Sequence, residues 1–150
     1  MWRALDLARE AARMGEVPVG AVVTRAGQIV AEAYNLRETL RDPTAHAERI
    51  ALTLAGRALG TWRLDDCDLY VTLEPCPMCA GAIVLSRIAT VIYGAADPKA
   101  GACRSRYRLA DDRRLNHRAR VVGGLLEQEC RAILSDFFLD RRTSTRSSES

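Results

Sequence analysis

No stretch of the 150 residues stays apolar for the roughly 20 positions that a bilayer-spanning helix needs. Met1-Trp2-Arg3 leads into an amphipathic pattern and not into the apolar core of a secretory signal. Both absences point to a cytoplasmic protein without a membrane partner. Cysteine is sparse and odd in number: five residues lack disulfide-scaffold density and fit a reducing compartment. Histidine is reduced to His46 and His117, and lysine to Lys99 against 21 arginines. Genome composition explains that arginine bias as well as RNA binding does, so only its clustering is informative. From Arg104 to Ser150 eleven arginines face seven acidic residues, a balance of +4, whereas Met1 to Cys103 stands at −1. No internal repeat is present, and 48% hydrophobic residues in 16.5 kDa suffice for one globular domain with a core.

Against this background two short stretches stand out, Thr44-Ala45-His46-Ala47-Glu48 and Leu73-Glu74-Pro75-Cys76-Pro77-Met78-Cys79. One imidazole and two thiolates, from His46, Cys76 and Cys79, suit the borderline-soft character of zinc. Three protein ligands leave a fourth tetrahedral position for water, the mark of a catalytic rather than a structural site. Glu48, two residues after the histidine, is the expected base for that water. Cys76 and Cys79 fall on one side of a helical turn beginning near Pro77, where proline's missing amide proton has no partner to lose. Asp42-Pro43-Thr44 reads as a second helix start, so two helix N-termini are expected to face one metal and favour thiolate there. A lone Cys-x-x-Cys reads as a redox pair or half a zinc ribbon. No second Cys-x-x-Cys exists to close a ribbon, and the compound His-x-Glu…Pro-Cys-x-x-Cys is the signature of zinc nucleobase deaminases.

The rest of the chain reads as α/β. Residues 2–14 form an amphipathic helix ending at Gly15. Val17 to Thr24 and Gln28 to Tyr34 are strands joined by Arg25-Ala26-Gly27, with Pro18 restricting the entrance. Asn35 at the end of the second strand offers a donor and an acceptor to the edge of a heterocycle, or simply terminates the strand. Residues 36–43 read as a charged loop and roughly 45–58 as a helix. Cys67 to Leu73, a helix to about Ser86, and Thr90 to Tyr93 form a strand-helix-parallel strand unit, which makes the sheet mixed. Val121-Val122 is a short edge strand, and Leu125 to Arg141 the final helix. Residues 143–150, polar and without periodicity, are expected to be a disordered tail after a deaminase domain of residues 1–142. Cys67 and Cys130 read as small core residues, and Cys103, although beside an arginine cluster, is assigned no role.

The chain resembles the bacterial tRNA-specific adenosine deaminases, of the cytidine-deaminase-like superfamily, from Trp2 to Arg142. The shared stretches include Glu16 to Val22, Asp42 to Glu48, Leu73 to Ala82, Tyr93-Gly94-Ala95, Asn116-His117-Arg118 and Asp136-Phe137-Phe138. The metal motif alone gives only the superfamily; Asn116-His117-Arg118 and the two phenylalanines favour the tRNA branch. The resemblance implies a three-layer α/β/α fold around a five-stranded mixed sheet, one zinc ion per subunit and a homodimer. It implies a tRNA anticodon stem-loop as partner, and conversion of the wobble adenosine, position 34, of an arginine tRNA to inosine. It further implies that Asn35 bonds the flipped base, that Asp97, Lys99 and Asn116 hold neighbouring nucleotides, and that Phe138, Arg141 and Arg142 contact the stem-loop.

Each carried-over role has a plainer reading. Asp97 can end the Tyr93 strand, Arg141 and Arg142 can complement a helix dipole, His117 reads as structural, and one of the adjacent phenylalanines packs while the other stays exposed. Arg104 and Arg106 depart from the family's glycine and apolar residue around Ser105, which puts tRNA choice in doubt there, and Met1 falls inside the family's first helix, suggesting a shortened start. The rival functions are a deaminase of free guanine, cytosine or a nucleoside, and a non-catalytic zinc-stabilised RNA-binding module. The first has no need of a basic C-terminal third; the second requires a fourth protein ligand that the sequence does not offer.

Overall fold

The runs of β-branched residues separated by turn signals become strands, and the segments of 3.6-residue period between them become helices that cover both faces. In the computed structural model, which describes residues 1–149, the order is α1 (Trp2–Arg13), β1 (Gly20–Arg25), β2 (Gln28–Tyr34), α2 (Arg37–Leu40), α3 (Ala47–Leu59), β3 (Cys67–Leu73), α4 (Pro77–Ser86), β4 (Thr90–Ala95), β5 (Arg120–Gly123) and α5 (Glu127–Ser148). The strands form one mixed sheet in the order β2-β1-β3-β4-β5. β1 pairs antiparallel with β2 and β3, while β3, β4 and β5 run parallel. The expected strand-helix-parallel strand unit and the short edge strand at Val121-Val122 are both present.

Alternation along β1 decides which helices meet which face. Ala21 and Val23, with Leu69, Val71 and Val91, pack against Ala47, Ala51 and Ala55 of α3 and Ile83 of α4. Val22 points the other way, onto Ala4 and Leu7 of α1, and Ala95 meets Leu5 and Cys130. The result is three layers, with α1 and α5 on one side and α3 and α4 on the other. β1 begins at Gly20 and not at Val17. Pro18 has no amide to offer a ladder, and the Val19 N–H turns back to the Val17 carbonyl at 2.9 Å. At Gly20 the sheet comes so close to α1 that a Cβ would overlap the Ala4 carbonyl oxygen, so only glycine fits.

Two other segments differ from the sequence reading. The charged loop at 36–43 contains the single helical turn of α2. The polar tail, expected to be disordered, continues α5 as exposed helix over residues 143–148. No glycine or proline interrupts the chain after Gly124, and hydroxyls bond back one turn: Thr143 to the Leu139 carbonyl, Ser144 to Asp140 and Thr145 to Arg141. Ser150, the end of that expected tail, lies outside the described residues. Among the described residues no helix is long and apolar enough to cross a membrane.

Candidate metal and active site

The C-terminal ends of the parallel strands in an open α/β sheet are where loops and helix starts converge, and the predicted ligands meet there. His46 is the N-cap of α3 and Cys76 the N-cap of α4, with Pro77 at the first helical position. The two helix starts expected from the sequence therefore do meet. An Asx turn fixes the approach to His46: the Asp42 carboxylate accepts the Thr44 N–H at 2.8 Å and the Thr44 hydroxyl at 2.7 Å. Arg49 fastens the same turn from α3, bonding the Thr44 carbonyl at 2.6 Å and pairing with Asp42 at 3.5 Å.

His46 Nδ1 lies 3.6 Å from Cys76 Sγ and 3.6 Å from Cys79 Sγ. Zinc–sulfur bonds of about 2.3 Å and a zinc–nitrogen bond of about 2.0–2.1 Å, set at the tetrahedral angle, separate S and N by about 3.5–3.6 Å. All three ligand atoms fall within 4.8 Å of one another, and the donor set is the one zinc prefers. The residues fit the ion. A hydrogen bond with the Cys79 side chain, aided by His46, pulls the Cys76 thiol down to about 4. The same bond and burial push Cys79 up, and the bond to Cys76 raises His46. Zinc takes cysteine as thiolate, so binding it at this cluster releases thiol protons, which α4's first-turn amides assist.

Glu48, on the first turn of α3, is 4% exposed and pushed above the ordinary carboxylate value by burial. It shares a cavity of about 240 Å³ with His46, Cys76, Asn35 and Asp97, walled by apolar side chains such as Val19 and Leu73. Asn35 donates from Nδ2 to the Val17 carbonyl at 3.3 Å, and its buried Oδ1 has no partner. Asp97 Oδ1 accepts the N–H groups of Lys99 (3.0 Å) and Ala100 (3.2 Å), so it both ends the β4 connection and lines the cavity. Lys99 is exposed on that loop, and Asn116 is exposed on a separate segment and does not line this cavity. Neighbouring His117 is 2.7 Å from the Ile88 carbonyl through Nε2, a structural tie as its position suggests.

Phe138, Arg141 and Arg142 line one surface recess on α5 together with Arg146. Phe137 is half-buried and Phe138 exposed, their rings edge-to-face at 5.5 Å, as two adjacent helical positions require. The Arg141 guanidinium sits 4.9 Å from the Phe137 ring and donates to the Gly15 carbonyl at 3.0 Å. This places Arg141 in a small recess with Asn35, Glu16 and Arg37, so the α5 surface adjoins the cavity through Asn35. Arg104 is tied to Asp111 at 3.0 Å and to the Cys103 carbonyl at 2.8 Å, whereas Arg106 is exposed. Cys103 itself is fully buried and pushed up to about 12 by burial, so the arginines do not activate it.

Three residues near the cavity have roles that no motif announces, although Glu16 and Glu74 lie in stretches shared with the family. Arg37 of α2 lines it directly. Glu16 is fully buried and accepts the N–H groups of Glu38 (2.9 Å) and Thr39 (2.8 Å), fixing the turn that carries Arg37. Burial opposes its charge, yet these backbone bonds hold Glu16 below the ordinary carboxylate value. A depressed native value means stability that is present above the unfolded-state value, about 4.3, and lost as pH falls through the native one. Glu16→Gln is therefore expected to lower Tm by several degrees at neutral pH. The gap to the parent should narrow on acidification below about pH 4. A gap that stays constant down to pH 3 in thermal melts would show that the charge of Glu16 contributes nothing. Glu74 is the third such residue.

With that geometry in place, comparison with known proteins assigns the family. Residues 1–95 match the model of the cytidine and deoxycytidylate deaminase zinc-binding region. A tRNA-specific adenosine deaminase of Bacillus subtilis (strain 168) is 52% identical over 95% of this chain and 88% of its own length. The chain belongs to the tRNA-specific adenosine deaminases. A solved structure from studies of A-to-I editing by tRNA:A34 deaminases at the wobble position of transfer RNA superposes on this deaminase with a TM-score of 0.84. It is 46% identical over 87% of this chain and 95% of that one. A guanine deaminase from Bacillus subtilis is also similar, at 47% identity and a TM-score of 0.61, over 63% of this chain and 61% of that one. The match to the zinc-binding region ends at residue 95, before Asp97.

Proposed function

We propose that this deaminase converts the wobble adenosine, position 34, of a tRNA anticodon, preferentially that of an arginine tRNA, to inosine. The observation that carries the reading is the cavity itself: a buried, unpaired Asn35 Oδ1 beside the ligand trio and a buried carboxylate. At about 240 Å³ it lies below the roughly 300–1,000 Å³ typical of drug-sized sites, and suits one extruded base rather than a stretch of strand. An unpaired acceptor calls for an N–H from the guest, which adenine carries on its 6-amino group.

His46, Cys76 and Cys79 would hold one zinc ion per chain, and zinc supplies a Lewis acid that lowers the pKa of water to about 7. Glu48 takes one proton from the attacking water and delivers it to N1 of the adenine, which keeps it in inosine, then takes the second from the new C6 hydroxyl and delivers it to the amine, which leaves as ammonia. The apolar walls exclude other water and strengthen those transfers. Asp97, Lys99 and Asn116 would hold the neighbouring nucleotides, and Phe138, Arg141 and Arg142 the stem, with Phe138 as a stacking surface. The adjoining recesses that join Asn35 to Arg141 and Arg142 support this path for the RNA. Trp62, in the connection after α3, and Leu85 of α4 are 62% and 71% exposed, which suits a homodimer. Work on tRNA places the enzyme in the cytoplasm.

The test offers the zinc-loaded protein an arginine-tRNA anticodon stem-loop with wobble adenosine, alongside stem-loops of other tRNAs and free adenosine, cytidine and guanine. Inosine is expected in the arginine stem-loop at a kcat/KM at least about 100-fold above every free base or nucleoside. Turnover of free guanine with none of the stem-loop would overturn the substrate. Equal turnover of all the stem-loops would overturn the arginine preference alone.

A further inference from the structure

Glu74 lies two residues before Cys76, lines the same cavity and is 2% exposed, yet its hydrogen bonds go to neither zinc ligand. Its carboxylate faces away along the loop that follows β4. Oε1 accepts the Asp97 N–H at 3.1 Å and the Ser105 hydroxyl. Oε2 accepts the N–H groups of Cys103 (3.1 Å), Arg104 (2.8 Å) and Ser105 (2.9 Å). Five donors thus converge on one buried carboxylate, four of them backbone amides from both ends of a nine-residue loop. Gly101, midway round that loop, passes so close that a Cβ there would come within 2.5 Å of both carboxylate oxygens. No larger residue allows the loop to wrap the carboxylate this tightly.

The loop carries Asp97 and Ala100 to the wall of the cavity and Lys99 beside it. It has no strand or helix of its own. Fixed carboxylate bonds replace a ladder as what sets its shape. Ser105 is also flanked by Arg104 and Arg106, which depart from the family pattern, and the Arg104 and Ser105 amides are held by the same oxygen.

We infer that Glu74 is a positioning residue for the substrate: its buried carboxylate holds the Asp97–Ser105 loop at the height where Asp97 and Lys99 meet the nucleotides beside the reacting base. The inference rests on the RNA reading above. Its action on substrate passes through the loop, separately from the metal.

Glu74→Gln tests it most cleanly. With its oxygen at the Oε2 position, glutamine keeps the Cys103, Arg104 and Ser105 bonds, and its NH₂ can still reach the Ser105 hydroxyl. The Asp97 N–H alone then faces a donor. Three quantities are measured on the zinc-loaded full chain: zinc content, kcat and KM for the anticodon stem-loop, and amide hydrogen exchange of residues 97–105. The expected result is parental zinc content, KM raised about tenfold with kcat within about threefold, and faster exchange at Asp97. Gly101→Ala, which crowds the same carboxylate from the loop side, is expected to show the same split. Zinc lost in proportion to activity would mean that Glu74 only seats Cys76 and would overturn the inference, as would an unchanged KM with unchanged exchange. If the parent does not deaminate the stem-loop, the substrate reading has failed. The exchange measurement still decides whether Glu74 anchors the loop, since unaltered exchange in Glu74→Gln refutes the anchoring.

Discussion

Glu48→Ala is expected to keep parental zinc and to lose about 10³-fold or more in kcat. Positioned proton transfer contributes on the order of 10²–10⁴-fold, and in the proposed mechanism one carboxylate serves every transfer of the cycle. The structure separates this role from metal binding: the ligand trio is complete with His46, Cys76 and Cys79, whereas Glu48 lies beside it in the cavity. Its burial, at 4% exposed, raises it above the ordinary carboxylate value, the direction that makes it a stronger base. Glu48→Gln should match Glu48→Ala in kcat, because an amide fills the space but cannot relay a proton. Metal analysis and single-turnover inosine formation check the pair. A zinc-replete Glu48→Gln protein with more than a tenth of parental kcat would remove Glu48 from the proton path.

The ligand trio was legible because helix geometry is local. Cys76 and Cys79 share a face through their spacing, and Pro77 and Asp42-Pro43-Thr44 mark the two helix starts. The sheet was legible for the same reason: hairpin residues at Arg25-Ala26-Gly27 and the strand-helix-strand spacing from Cys67 to Tyr93 carry the pairing. Glu16 and Glu74 were not legible. Both fall in stretches shared with the family, but their partners lie 22 to 31 residues away along the chain, and nothing local says which distant amides a buried carboxylate satisfies. The helical continuation over residues 143–148 was missed because its support is propensity and hydroxyl back-bonding, without an apolar stripe. Asn35 illustrates the reverse. Two readings were open, strand end or base reader; the buried, unpaired oxygen favours the second while the Val17 bond preserves the first.

Cys79→Ala is expected to abolish zinc retention and activity together and to lower Tm by about 10 °C. A metal bound about 1,000-fold above its dissociation constant stabilises the native state by about 4 kcal/mol, and in a chain of this size each kcal/mol moves Tm by about 2–4 °C. The substitution itself removes only one sulfur from a fully buried site, a smaller loss than that of the metal. Two observations single out Cys79 among the ligands. It sits inside α4, where the helix fixes its sulfur 3.6 Å from His46 Nδ1, and burial leaves water no room to replace it as a ligand. A chelator should bring the parent down to the Tm of Cys79→Ala and leave the variant unmoved, because the same interaction has then been removed by two routes. In acid the parent should approach the variant as well, since protons compete with zinc for His46 and both sulfurs. Parental zinc content and chelator-sensitive melting in Cys79→Ala would show that this sulfur is not a ligand, leaving His46 and Cys76 too few to hold the ion at a catalytic site.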